Sequence, residues 1–273
     1  MPELPEVEVT RRSIAPELVG RRVSGGAIRA QKLRYPLCQE LPQYLKGKTL
    51  LGVGRRGKYL LLDFGRGAVL VHLGMSGSLR LLPRGAIPQK HDHVDLEFGD
   101  RLLRLRDPRR FGAVLWFAAL AEMAKHPLLT TLGIEPLEAD FTPGWLFAAT
   151  RGRQAPIKQL LMDSHMVVGI GNIYASESLY RAGIDPRTPA GRIGLKRYAR
   201  LVPAIRAVLE AAIAAGGSSL RDFIHSDGSS GYFQQQYYVY GRAGEPCPVC
   251  GKTVRSLRQG QRASFFCPHC QRP

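Results

Sequence analysis

Four of the chain's five cysteines stand as two knuckles, Cys247-Pro-Val-Cys250 and Cys267-Pro-His-Cys270, with sixteen residues between them. Two C-x-x-C pairs at this separation can present four thiolates tetrahedrally from two hairpin turns, which is the ligand set of a structural zinc ion. The last segment, from about residue 234, therefore reads as a β-hairpin that holds a metal. Disulfides are the competing use of four cysteines. A reducing compartment disfavours them, and the two-residue gap inside each pair suits a metal better than a cross-link. His269 lies inside the second knuckle and is expected to be exposed, while Cys38 stands alone and reads as a small buried hydrophobe without a role.

Upstream of the cysteines the organisation is read from periodicity, because no repeat or low-complexity tract is present. Residues 3–18 look helical, with Pro2 tolerable in the first turn. From about residue 22 to residue 117 short apolar alternations are broken by Gly, Pro and Asp. Residues 58–63, 68–72, 93–98 and 101–106, separated by Gly65-Arg-Gly67 and Gly99-Asp100, predict antiparallel strands of a sandwich or barrel. Residues 128–143 keep no sustained period and mark a domain boundary. Beyond them the pattern is helical: residues 157–168 and 173–182 are joined by Gly169-Ile-Gly171-Asn172. A later helix places Leu201, Val202, Ile205, Val208, Leu209, Ala212 and Ile213 on one face and stops at Gly216-Gly217. With 273 residues and 44% hydrophobic content the chain can build two ordinary domains, each with its own core.

The balance of 39 Lys+Arg against 22 Asp+Glu leaves a net charge of +17. A polyanionic partner explains such an excess; a generally basic, solvated exterior is the alternative. With two Trp and no basic run beside a long apolar helix, nucleic acid fits better than a membrane surface. The longest uninterrupted apolar run, residues 113–121, falls far short of the about 20 residues of a membrane span. The N-terminus is acidic and proline-rich, where a signal peptide is basic and then apolar. A cytoplasmic protein without a membrane partner is expected.

Two places invite chemistry. Gly169-Ile-Gly171-Asn172 lets backbone approach a ligand just where a helix begins, and the unpaired N–H groups and positive dipole end of that helix suit a phosphate. The plainer reading is an interhelical turn with Gly as C-cap and Asn as N-cap. At the start of the chain, Met1 precedes Pro2, a context in which the initiator Met is normally removed to expose a secondary amine. Such an amine has a reference pKa of about 7.7 to 8.0 and can form a Schiff base with a sugar carbon. Glu3 and Glu6 lie beside it as proton carriers. The alternative is a proline in the first helical turn followed by acidic residues that complement the helix dipole.

Pro2-Glu-Leu-Pro-Glu-Val-Glu8, Gly57-Lys58-Tyr-Leu, His72-Leu-Gly-Met-Ser-Gly-Ser-Leu-Arg80, Lys90-His-Asp-His-Val-Asp-Leu96, Asp107-Pro-Arg-Arg-Phe-Gly112, Val168-Gly-Ile-Gly-Asn-Ile-Tyr-Ala-Ser-Glu177 and the four-cysteine ending together resemble bacterial formamidopyrimidine-DNA glycosylases, in consistent order from residue 2 to residue 270. The resemblance implies an α+β chain in three parts. These are a β-sandwich domain with an N-terminal helix over residues 1–130, a helix-two-turn-helix DNA-binding domain over 131–233, and a zinc-finger hairpin over 234–273. It implies a bifunctional enzyme that removes 8-oxoguanine and formamidopyrimidines from damaged double-stranded DNA and then nicks the strand by β,δ-elimination. The protein is expected to act as a monomer, in the cytoplasm and on the nucleoid.

Position by position, the resemblance makes Pro2 the nucleophile, Glu3 the proton donor that opens the sugar, and Lys58 an aid to β-elimination. Arg262 would bind a phosphate and assist δ-elimination. Met75, Arg109 and Phe111 would fill the space left by an everted base; by residue type alone Met75 and Phe111 are ordinary core candidates. His91, Arg153, Lys158 and Asn172 would contact phosphates, and Cys247, Cys250, Cys267 and Cys270 would hold one structural zinc. In residues 226–232 the family's loop closes over the everted base. An endonuclease VIII-type enzyme for oxidised pyrimidines shares much of this pattern. Pro2-Glu-Leu-Pro-Glu and the Arg-Arg-Phe triplet argue against it. A noncatalytic zinc-finger DNA-binding protein would not need Pro2, Glu3, Lys58 and Arg262 together.

Overall fold

A computed structural model describes residues 2–218 and 233–273. They form two compact units: one runs to Thr131 and resumes at Ala215, the other runs Leu132–Ala214 and resumes at Phe233. The segment assigned above to a closing loop, residues 226–232, lies outside the described residues.

The first unit opens with α1 (Leu4–Leu18), β1 (Gly25–Ile28) and the short α2 (Leu41–Leu45). Strands β2 (Gly52–Arg56), β3 (Tyr59–Asp63), β4 (Ala68–His72), β5 (Ser78–Pro83), β6 (Asp92–Phe98), β7 (Arg101–Arg106) and β8 (Ala113–Phe117) follow, then α3 (Leu120–Ala124) and α4 (Pro127–Thr130). They make two four-stranded antiparallel sheets, ordered β1-β6-β7-β5 and β2-β3-β4-β8. Leu60, Leu62, Val69 and Val71 of one sheet and Val94, Leu96, Leu103 and Leu105 of the other share a single core, the sandwich that the alternating pattern predicts. Along β3 every second residue is buried, the period that places one face inward. The inward stripe of α1, Val7, Ile14 and Leu18, closes the same core. Of the strands read from sequence, residues 68–72 and 101–106 coincide with β4 and β7.

The second unit contains α5 (Pro143–Thr150), α6 (Ile157–Met162), α7 (Asn172–Arg181), α8 (Leu195–Ala214) and the hairpin β9 (Arg255–Gln259) and β10 (Arg262–Phe266). Helix α7 packs against α8, α6 and β10. The face of α8 read from its periodicity is the buried one, from Leu201 to Ile213. Helix α6 ends six residues before the expected Val168. Asp163 takes an extended backbone there and its carboxylate accepts the His165 N–H at 3.0 Å. Val167 then bridges to Ile134 in parallel, drawing the chain out of helical geometry. Periodicity could not reveal this, because the competing partners are a local side-chain bond and a distant strand-like contact.

Candidate active site and metal centre

The N-terminus is set into the first unit. Pro2 and Glu3 are buried, and the Glu3 amide donates to Glu6 Oε2 at 2.8 Å. The other oxygen of Glu6 accepts from Ser218, at 2.9 Å from its N–H and 3.0 Å from its hydroxyl. Gly217, at φ +79, lets the chain pass close: a Cβ there would lie 3.2 Å from Glu6. Glu6 thus fixes the backbone next to Pro2.

Two residues further along α1, Glu8 accepts from Arg11, Arg12 and Arg55. Arg55 also donates to the Gly57 carbonyl at 3.2 Å, which ties α1 to the turn bearing Lys58. That turn has two residues, Gly57 and Lys58, because Arg56 pairs directly with Tyr59. Gly57 supplies the φ of +55 that a tight hairpin needs. Across the sheet Tyr59 faces His72, a residue the sequence reading left without a role. Burial, with the nearby charges of Lys58 and Arg34, pulls the His72 pKa down to about 4. Its Nδ1 accepts the Gly74 N–H at 3.0 Å, so the neutral ring carries its proton on Nε2 and offers an uncharged donor beside Lys58.

Met75 and Phe111, core candidates by residue type, are exposed at 36% and 47%. They sit on the loops after β4 and β7, and Arg109 is exposed with them, its guanidinium 5.0 Å from the Phe111 ring centre. His91 stands just before β6 with φ +76, a left-handed conformation uncommon outside glycine. The next strand residues are irregular too: Asp92 and Val94 pair with consecutive residues of β7, leaving His93 as a bulge.

In the second unit Arg262 is exposed at the start of β10, where Gln259 pairs with it across the turn Gly260-Gln261. Gly260 takes φ +58 to close that turn. A cleft of about 400 Å³ opens beside it, lined by Gln159, Met162, Gln259 and Arg262 among others. Arg153 is exposed in the loop after α5.

Lys158 is set deep in the second unit. It is 1% exposed, and its ammonium donates to Asn172 Oδ1 at 2.6 Å, the Ala263 carbonyl at 3.1 Å and Ser264 Oγ at 2.8 Å. These bonds join α6, α7 and β10 around the ammonium. Asn172 is likewise the first residue of α7, with Gly171 at the N-cap. Its oxygen is taken by Lys158, which leaves the amide NH2 as its remaining polar end.

The four thiol sulfurs of Cys247, Cys250, Cys267 and Cys270 lie within 4.8 Å of one another. Cys250 and Cys267 are 3.5 Å apart, Cys247 and Cys270 3.9 Å. Tetrahedral zinc–thiolate bonds of about 2.3 Å separate sulfurs by about 3.8 Å, so the donor set fits one structural zinc. The Tyr180 hydroxyl, 3.1 Å from Cys247 Sγ, supports it from outside. Glu177 on α7 accepts backbone N–H bonds from Tyr238, Val239 and Tyr240, anchoring the entry to the metal lobe. No described helix is long and apolar enough to cross a membrane.

Comparison with known proteins agrees along the whole chain. Residues 1–114 match the formamidopyrimidine-DNA glycosylase N-terminal domain, residues 132–224 the H2TH domain of the same enzymes, and residues 244–273 the zinc finger found in FPG and IleRS. The formamidopyrimidine-DNA glycosylase of Herminiimonas arsenicoxydans is 59% identical over 273 residues, and that of Aromatoleum aromaticum 60% over 272, with 100% of both chains covered in each case. A Lactococcus lactis variant bound to DNA containing Fapy-dG superposes with a TM-score of 0.92 at 33% identity over 100% of both chains. The Thermus thermophilus protein superposes at 0.87 with 37% identity over 99% of this chain and 98% of that one. The chain belongs to the formamidopyrimidine-DNA glycosylase family.

Proposed function

We propose that this chain excises oxidised purines from duplex DNA and cleaves the strand at the resulting abasic site, with Pro2 as nucleophile once Met1 is removed. The observation that carries the reading is the N-terminus itself: Pro2 and Glu3 are buried side by side at the head of α1, with the intervening backbone held by Glu6. An α-amino group titrates at about 7.7 to 8.0, so a working fraction is neutral at physiological pH. Its lone pair attacks C1′ of the damaged nucleotide, the base leaves with the electrons of the C1′–N bond, and the new ammonium gives up its proton to the departing base, which restores the nitrogen lone pair. Glu3 delivers a proton to the ring oxygen, the sugar opens, and the nitrogen lone pair completes an iminium. The iminium acidifies the C2′ hydrogen. Loss of that proton expels the 3′ phosphate, and a second elimination, with loss of the C4′ hydrogen, expels the 5′ phosphate.

Lys58 offsets charge on the first leaving phosphate and Arg262 on the second. His72 adds a neutral donor beside Lys58. Met75, Arg109 and Phe111 occupy the space vacated by the everted nucleotide, which offsets the cost of unstacking. His91, Arg153 and Asn172 face phosphates, and Lys158 supports Asn172 and the hairpin from within. Zinc, when bound, supplies rigidity to the hairpin and no open coordination position. The division at residues 130 and 233, monomeric action, and a cytoplasmic, nucleoid-bound location belong to the same reading, since the substrate is chromosomal DNA.

Borohydride reduction of a reaction with an 8-oxoguanine duplex tests it, because reduction traps an iminium covalently. A stable protein–DNA adduct is expected, greatly weakened in Pro2→Gly, whose primary amine can still condense slowly; Glu3→Gln should bind lesion DNA and excise it poorly. Full trapping by protein whose mass still includes Met1 would overturn the assignment. A Lactococcus lactis relative was crystallised with DNA containing an oxidised pyrimidine, so the same assay on that lesion sets the order of preference. Faster trapping there would move the reading toward an oxidised-pyrimidine enzyme.

A further inference from the structure

Asp107 is 0% exposed, and among the described residues no Lys or Arg forms a salt bridge with its carboxylate. A buried carboxylate is costly unless donors replace its water, and here two do. Oδ1 accepts from the Ser76 hydroxyl at 3.1 Å and Oδ2 from the Gly112 N–H at 2.8 Å. These donors come from different loops. Ser76 follows Met75 on the loop after β4, and Gly112 follows Phe111 on the loop after β7.

The link closes on itself. Ser76 Oγ, while donating to Asp107, accepts the Arg109 N–H at 3.2 Å. Asp107, Ser76 and Arg109 therefore form a short chain of hydrogen bonds that binds the two loops edge to edge. The backbones touch as well. A Cβ on Gly74, which takes φ +64, would lie 2.4 Å from both the Gly112 nitrogen and the Phe111 carbonyl carbon. Asp107 also reaches the strand that follows His91, its N–H donating to the His91 carbonyl at 3.0 Å and its carbonyl meeting His93 Nε2 at 3.0 Å. One buried acid holds together the backbone on which Met75, Arg109 and Phe111 are carried outward.

We propose that Asp107 is a positioning residue that joins the Met75 loop and the Arg109–Phe111 loop into a single rigid wedge, so that the three side chains enter the duplex as one body. This rests on the reading that those side chains fill the space of the everted nucleotide. Without the carboxylate the loops move separately, and each insertion must bear the ordering entropy of its own loop. The cost falls on eversion. The bond-making steps at Pro2, once a sugar is accessible, are spared.

The test compares Asp107→Asn and Ser76→Ala with the unmodified protein in three reactions. Asn keeps the shape of Asp but replaces one acceptor by a donor that cannot receive either N–H or O–H; Ser76→Ala removes only the bridging hydroxyl. The first reaction is single-turnover excision of 8-oxoguanine opposite cytosine in duplex DNA. The second is the same lesion opposite a one-nucleotide gap, where no orphaned base has to be met. The third is cleavage of a preformed abasic site in single-stranded DNA, where nothing is everted. Loss of one hydrogen bond to a charged group predicts a fall of about ten- to a hundredfold in the first reaction. The deficit should shrink to within about threefold on the gapped duplex and in the single-stranded reaction.

Equal losses in all three reactions would mean general structural damage, and no loss in the first would mean that the loops need no coupling; either overturns the proposal. If Asp107→Asn fails to fold or to bind zinc, Ser76→Ala carries the comparison alone. Failure of the underlying reading is seen separately. If Met75→Ala and Phe111→Ala leave duplex excision unchanged there is no wedge to couple, and if the unmodified protein gives no borohydride adduct the nucleophile is wrong whatever Asp107 does.

Discussion

Glu8 sits on α1 with 7% of its surface exposed and accepts hydrogen bonds from Arg11, Arg12 and Arg55. Burial opposes its ionisation, but those guanidinium bonds together outweigh it and bring its pKa from 4.5 to about 2. A carboxyl whose folded pKa is depressed stabilises the fold above its unfolded pKa, and that contribution is lost as pH falls through the folded value. The lowering is equivalent to at most about 3 kcal/mol at neutral pH. Glu8→Gln should therefore unfold at lower urea concentration at pH 7, with the gap from the unmodified protein cut by more than half at pH 3. A gap of the same size at both pH values would rule out ionisation as its source. Glu8 illustrates what a linear reading cannot see. The four cysteines are legible because their grouping depends on neighbours in sequence, a two-residue knuckle, and the proposed roles of Pro2 and Glu3 rest likewise on an N-terminal ring and an adjacent acid. The role of Glu8 depends on Arg55, 47 positions away, and that of Lys158 on Ser264, 106 positions away.

Among the elements, β4 and β7, buried almost throughout, are legible as short apolar runs bounded by turn residues, whereas β3 is legible because a half-buried strand alternates residue by residue. Helix α8 was legible for the same reason at a different period, with its buried face running the length of the helix. Helix α6 was legible only in its first half, since a side-chain bond from Asp163 ends it. The short α6 nevertheless carries Lys158, the post on which the β9–β10 hairpin rests. Replacing Lys158 by Met keeps the volume but removes the donor from Asn172 Oδ1, the Ala263 carbonyl and Ser264 Oγ. Each buried acceptor left without a partner costs about 1–3 kcal/mol. Local opening of the hairpin should become at least about tenfold more frequent, which hydrogen exchange across residues 255–266 measures. Zinc content should stay at one per chain, because none of the four cysteines bonds to Lys158. Unchanged exchange in that segment would show that the hairpin is held by the metal alone.

For the whole molecule, charge and the two-knuckle ending narrowed the possibilities to a zinc-bearing nucleic-acid protein, and the string of family motifs placed the rest. The excess of +17 is a net quantity that internal pairing cannot reduce. Each arginine neutralised inside, such as Arg104 against Asp95, removes one charge of each sign, so the whole excess remains for a partner. DNA binding through that excess releases condensed counterions, and log affinity should fall linearly with log salt at about −0.9 per phosphate contacted. The structure then separates residues that sequence alone treats alike. Arg262 is exposed and Lys158 buried. Arg262→Ala should make the slope shallower by about 0.9. Lys158→Met should weaken binding by a similar factor at every salt concentration, leaving the slope where it was. Binding isotherms of a lesion duplex between about 50 and 200 mM salt, the range over which phosphate contacts tell most, decide between these outcomes. A shallower slope for Lys158→Met would return that ammonium to the DNA surface, and an affinity indifferent to salt in the unmodified protein would mean that the positive charge faces something other than phosphate.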